Sequence, residues 1–127
     1  MRKARHVLRV FFIGLVVATA TNLHSAPAAP KAYAIAEINV TDPVAYKKYL
    51  AVVAPIVSQF GGRYIVRAGQ IAPLEGDAPT GRFIIIEFQD MATAQRFESS
   101  AQYRAIAPLR QRAARSRLFL VEGVPKP

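Results

Sequence analysis

Two segments of the chain, residues 33–40 (YAIAEINV) and 82–88 (RFIIIEF), are apolar at both alternating positions of an extended strand. A strand in a sheet with one face turned to water reads apolar on one side and polar on the other. Here Ile35, Phe83 and Ile85 oppose Ala34, Ala36, Ile84 and Ile86 in parity, so a sheet built from these segments has two greasy faces. Helices of the same chain can cover one of them. The other needs a second covering layer, most economically the same face of a second copy.

The rest of the domain alternates between the two periodicities. Asp42-Pro43 supplies a capping carboxylate and a proline at the first helical position. Tyr46, Tyr49, Leu50, Val53, Ile56, Val57 and Phe60 then follow the spacing of one buried helical face, and Gly61-Gly62 stops it. Pro55 lacks the N–H that would bond the Ala51 carbonyl, which predicts a kink or short break around residues 51–55. Residues 63–68 read as a second strand. A Gly/Pro-punctuated stretch, residues 69–81, follows, with a short extended piece at 70–74 and a turn at Glu75-Gly76; it serves as a lid or as a plain connector. After the strand at 82–88, Asp90 caps a helix that turns Ala94 and Phe97 inward. Ser99-Ser100 interrupts that helix, Tyr103, Ile106 and Leu109 continue its stripe across Pro108, and residues 117–122 form the last strand. Strand, helix, strand, strand, helix, strand is an α+β, ferredoxin-like βαββαβ sandwich.

Residues 1–28 are of a different kind. Arg2, Lys3, Arg5 and Arg9 precede an apolar run at 10–20, and Ala18-Thr19-Ala20 and Ala26-Pro27-Ala28 offer small-residue cleavage sites, the layout of a secretory signal peptide and leader. The run is shorter than the roughly 20 apolar residues of a spanning helix. Cleavage, a periplasmic or secreted mature protein with no stable membrane span, and a single domain over residues 31–124 are the expectation. Of the 17 basic side chains four lie in this segment and of the 8 acidic ones none, leaving 13 against 8, a net charge of +5. Five of the remaining cations, Arg104, Arg110, Arg112, Arg115 and Arg117, fall close together in sequence. They read as a surface for acidic partners or as cations complementing a helix C-terminus. No aromatic residues interleave with them as a single-strand platform requires, so nucleic acid is not an expected partner.

Composition removes further chemistry. With no cysteine there is no disulfide, thiolate metal centre or thiol nucleophile. The two histidines, His6 and His24, both precede the domain, so the mature chain has no imidazole for metal, haem or general-base work. No glycine-rich phosphate loop is present. Neither a cofactor nor a metal is expected.

Asp42-Pro43 with Tyr46 and Tyr49, Phe60-Gly61-Gly62-Arg63-Tyr64 with Arg67 and Gly69, Leu74-Glu75-Gly76, Ile86-Glu87-Phe88, Ser100 with Tyr103, Leu109-Arg110 and Val121-Glu122-Gly123 form a set. In these segments, spread over Lys31 to Val124, the sequence resembles the small bacterial proteins of domain of unknown function 1330, within the dimeric α+β barrel superfamily. The resemblance implies a ferredoxin-like protomer whose sheet closes against a partner's, and it implies no established reaction. Two positions depart from it: Phe97-Glu98 stands where relatives usually carry Trp-Tyr, and Ala68 where they often have glycine. Haem-dependent members of the superfamily use a histidine ligand, which the mature chain lacks.

Glu37 and Glu87 share the parity that faces the space between two sheets, and Arg63 and Arg67, four residues apart, are expected on one face of the second strand. With Tyr33 they form a candidate small-molecule site of Tyr33, Glu37, Arg63, Arg67 and Glu87. Burial would raise Glu87 toward the range of a general base, with Arg67 stabilising an oxyanion, while a nearby guanidinium would pull it down and make a structural ion pair instead. Tyr33, Tyr46, Tyr49, Tyr64 and Tyr103 either orient a ligand or pack with their polar tips at an edge. Three functions stay open: an exported, cofactor-free homodimer that binds a small anionic or aromatic molecule between the sheet faces; a cofactor-independent oxygenase or isomerase; and a non-enzymatic cell-envelope interaction module.

Overall fold

Strand β1 (Ala32–Val40) is the axis of the computed structural model, which describes residues 26–126. The charged and apolar stretches read as a signal peptide lie outside the described residues. On one side β1 pairs antiparallel with β3 (Arg82–Phe88), on the other with β4 (Ala114–Glu122), and β2 (Arg63–Arg67) extends the sheet beyond β3. The sheet order is β2-β3-β1-β4. Helices α1 (Pro43–Gln59), α2 (Met91–Ser99) and α3 (Ala101–Ala113) supply the second layer.

Register decides which side chains the helices cover. Ala34 sits opposite Ile86 and Ala36 opposite Ile84, and Ala32, Ala34, Ala36, Ile38, Ile84, Ile86 and Phe88 are all buried. The other face carries Tyr33, Ile35, Glu37, Phe83, Ile85 and Glu87, joined across β1 by Arg117, Phe119 and Val121. In the single chain this face stays open, with Phe119 45% and Val121 41% exposed.

The helices start and stop where their capping chemistry says. Asp42 accepts a hydrogen bond from the Ala45 N–H at 3.0 Å, and Tyr46, Tyr49, Val53 and Val57 form the buried face of α1. The helix passes Pro55 without the expected break. Pro55 and Ala51 both lie on the exposed side, so the carbonyl left without a partner meets water rather than the core. Gly61, at φ 69°, ends the helix. Ser100 serves two helices at once: its hydroxyl donates to the Phe97 carbonyl at 2.7 Å and accepts from the Tyr103 N–H at 3.1 Å. The buried ring of Phe97 packs against Phe60, Phe88 and Tyr103, with centroids at 5.9, 5.3 and 4.6 Å.

Two boundaries differ from expectation. Strand β4 begins at Ala114 rather than Arg117, because the N–H groups of Thr41 and Asp42 both donate to the Ala113 carbonyl, at 2.9 and 3.0 Å, and tie the end of α3 to the end of β1. No strand forms at residues 70–74; the chain from 68 to 81 is irregular, and its Leu74 is 99% exposed. No helix among the described residues is long and apolar enough to cross a membrane.

Candidate functional site

On the open sheet face the carboxylates are already paired. Glu37 accepts from Arg117 Nη2 at 2.7 Å; Glu87 accepts from Arg63 Nη2 at 3.1 Å and has Lys31 Nζ at 3.9 Å. Tyr33, Glu37, Arg63 and Glu87 therefore do lie on this one face. Arg67 does not. A register shift between Tyr64 and Val66 places Arg67 opposite Ile84, on the helix side, so Glu87 and Arg67 do not form the base and oxyanion pair that strand parity suggested.

Polar groups instead gather under the helices. Because β1 presents the small side chains Ala34 and Ala36 at the middle of this face, the space above them is not filled, and a cavity of about 40 Å³ remains between the sheet and α1 to α3. Its apolar wall includes Ile38, Ile84, Ile86 and Leu118. Tyr46 and Tyr49 enter from the buried face of α1, Tyr103 from the first turn of α3 and Tyr64 from β2. Arg67 stacks on Tyr64 with its guanidinium carbon 4.4 Å from the ring centre, and Arg82, the first residue of β3, lies 5.8 Å from that of Tyr46. Glu98, at the end of α2, also lines the cavity. Arg110, buried to 7% exposure, stands beside the lining side chains Tyr46, Tyr49, Glu98 and Tyr103.

Burial pushes the hydroxyls of Tyr46, Tyr49, Tyr64 and Tyr103 above the ordinary phenol value. The push is largest at Tyr49, where the neighbouring Tyr103 adds to it; Arg82 beside Tyr46, Arg67 beside Tyr64 and Arg110 beside Tyr103 work against it. All four are therefore neutral donors at physiological pH. Burial also raises the Glu98 carboxyl, with Arg110 opposing. Three ion pairs form among the described residues, and neither Glu98 nor any of Arg67, Arg82 and Arg110 takes part in one.

The run of arginines in α3 and β4 is not one surface. Arg110 is buried, Arg117 is paired with Glu37 on the sheet, and Arg104, Arg112 and Arg115 are exposed. Sequence reasoning missed Arg82, Glu98 and Arg110 as site residues. Arg110 had a visible signal, since Tyr103, Ala107 and Arg110 continue one helical stripe and all three are buried. Glu98 had one as well, standing where relatives carry the tyrosine of the Trp-Tyr pair.

A four-stranded antiparallel sheet in this order, with helices on one face, defines the ferredoxin-like α+β fold class. Within that class the chain belongs to the family described as Domain of unknown function (DUF1330), whose sequence profile matches residues 31–124. Among solved structures it is similar to a protein of unknown function from Rhodopseudomonas palustris, at 20% identity over 80% of this chain and 87% of that one, with a TM-score of 0.57. The methylated form of that protein gives 18% identity, 77% and 84% coverage and a TM-score of 0.59. SnoaB, a cofactor-independent oxygenase from Streptomyces nogalater, is similar at 15% identity over 77% of this chain and 97% of its own, with a TM-score of 0.57. Among curated proteins none matches the sequence.

Proposed function

We propose that the protein is an exported homodimer that binds one small molecule per protomer, in the cavity between helices and sheet rather than between the two sheet faces. The observation that carries this reading is the placing of four neutral tyrosine hydroxyls and the guanidinium groups of Arg67 and Arg82 around a void in an otherwise apolar core. A pocket of apolar walls with a few convergent polar groups is the usual form of a ligand site. The open sheet face supports the dimer. Phe119, Val121, Ile35 and Ile85 need a cover, and the Glu37–Arg117 and Glu87–Arg63 pairs leave the two carboxylates of that face neutralised for burial.

A second reading, an oxygenase or isomerase that uses no cofactor, is favoured by Glu98. It is a half-buried carboxylate at the cavity, raised by burial toward the range of a proton acceptor, and SnoaB has the same fold. In that reading Glu98 replaces Glu87 as the base.

Native mass spectrometry of the protein recovered from the compartment where it accumulates tests the first reading. The expected result is a dimer lacking the N-terminal segment, each protomer carrying added mass that Ala36→Leu removes. A single copy with no added mass at micromolar concentration would refute it.

A further inference from the structure

Two buried side-chain atoms among the described residues have no hydrogen-bond partner, Arg82 Nε and Arg110 Nε. We infer that they mark the binding site of a compact carboxylate, an anion the size of acetate. This rests on the cavity being a ligand site and adds the chemical class of the ligand.

Both guanidinium groups act on Tyr46: Arg82, at the start of β3, has its guanidinium carbon 5.8 Å from the ring centre, and Arg110, from α3, is a cation whose charge reaches the Tyr46 hydroxyl. Both are donors, so what is missing is an acceptor. Charge narrows the choice. Arg67 and Arg82 line the cavity with one carboxylate, Glu98, and the buried Arg110 stands beside that carboxylate; Glu98 forms an ion pair with none of the three. A buried guanidinium such as that of Arg110, with no carboxylate in ion-pair contact, is strongly disfavoured, and a water molecule would satisfy the N–H groups but not the charge. A carboxylate supplies both, its two oxygens accepting from two donors as in charge-assisted pairs generally. Size follows from the volume, because about 40 Å³ accommodates roughly three waters, or a carboxylate with one or two carbons behind it. Ala34, Ala36 and Ile84 provide the apolar wall for those carbons.

Acetate and its neutral isostere acetamide separate charge from shape. Each is titrated into the mature protein at fixed ionic strength, with Tm and saturation-transfer NMR as readouts. Acetate is expected to raise Tm and show transfer from the tyrosine rings, and acetamide to do neither. Arg82→Gln should weaken acetate binding at least tenfold, whereas Arg112→Gln, an exposed residue of the same charge, should leave it unchanged. Arg110→Gln gives the same loss if it folds; Arg82→Gln carries the test if it does not. Equal binding of acetamide, or acetate binding that survives Arg82→Gln, overturns the carboxylate assignment while leaving the cavity as a ligand site. No binding of acetate to the wild type overturns the assignment as well, and the added mass in native spectra then decides separately whether the cavity holds some other molecule.

Discussion

Arg63 and Arg67 are four residues apart on one strand and face opposite sides of the sheet. Arg63 pairs in register with Glu87 and Tyr64 with Ile86, but the next partners are Val66 with Ile85 and Arg67 with Ile84, so Ile65 is an extra residue. The side-chain period of a strand is two, and one inserted residue flips everything beyond it. The bulge thereby assigns one arginine to the open face and the other to the cavity.

The two arginines should respond differently to removal. Arg63→Ala breaks an ion pair to Glu87 that is largely exposed on the arginine side, and should cost less than about 1 kcal/mol in urea unfolding. It should leave bound mass in native spectra unchanged. Arg67→Ala removes the cation stacked on Tyr64 and should reduce that bound mass.

Ala68 occupies the left-handed region at φ 54°, where a Cβ is strained. Ala68→Gly should therefore stabilise the protein, by about 1 kcal/mol at most once the greater freedom of the unfolded glycine is counted. A lower urea midpoint for the glycine variant would contradict this.

The ring cluster at the end of α2 packs Phe97 against Phe60, Phe88 and Tyr103. Phe97→Ala should cost roughly 3–5 kcal/mol, the usual range for a buried phenylalanine. Gly62→Ala should also destabilise, since a Cβ there would lie 2.7 Å from Val57 Cγ1 and 2.8 Å from Phe88 Cε1. Thermal unfolding of both variants measures it.

Alkaline pH should unfold the protein through its tyrosines. Their native pKa values lie above the unfolded value of 10.0, so the stability they contribute is complete below that pH and is lost as pH rises through the native values. Each such group steepens the decline by up to about 1.4 kcal/mol per pH unit. Tyr49→Phe should make the fall above pH 10 shallower by about that amount, read from urea midpoints between pH 9 and 11.5.

Glu98 follows the same sign at lower pH. Its native pKa is raised from 4.5, so its contribution is present below that value and disappears as pH increases through the raised one. Glu98→Gln should match the wild type at pH 4 and exceed it in stability at pH 7. Loss of stability at pH 7 would mean that Glu98 compensates the arginines more than burial penalises it.

Most of the architecture was legible because local signals agreed with the global fold. Asp42-Pro43 and Asp90 marked helix starts that the structure reproduces, Ser99-Ser100 marked the interruption between α2 and α3, and the alternation in β1 and β3 identified both the covered and the open face. The site was less legible for two reasons. The Ile65 bulge leaves no mark in the string RYIVR, so strand parity carried Arg67 to the wrong side. Charge also implied exposure, yet Arg110 is buried on the stripe it shares with Tyr103, and Arg82 looked like the mere start of a strand.

The small side chains of β1 have a consequence for how this pocket can change. Room comes from Ala34 and Ala36, whereas the hydroxyls and guanidinium groups come from α1, α3, β2 and β3. Size selectivity and chemical selectivity are therefore adjustable through separate positions. Enlarging one alanine would narrow the range of guests without disturbing the groups that recognise them.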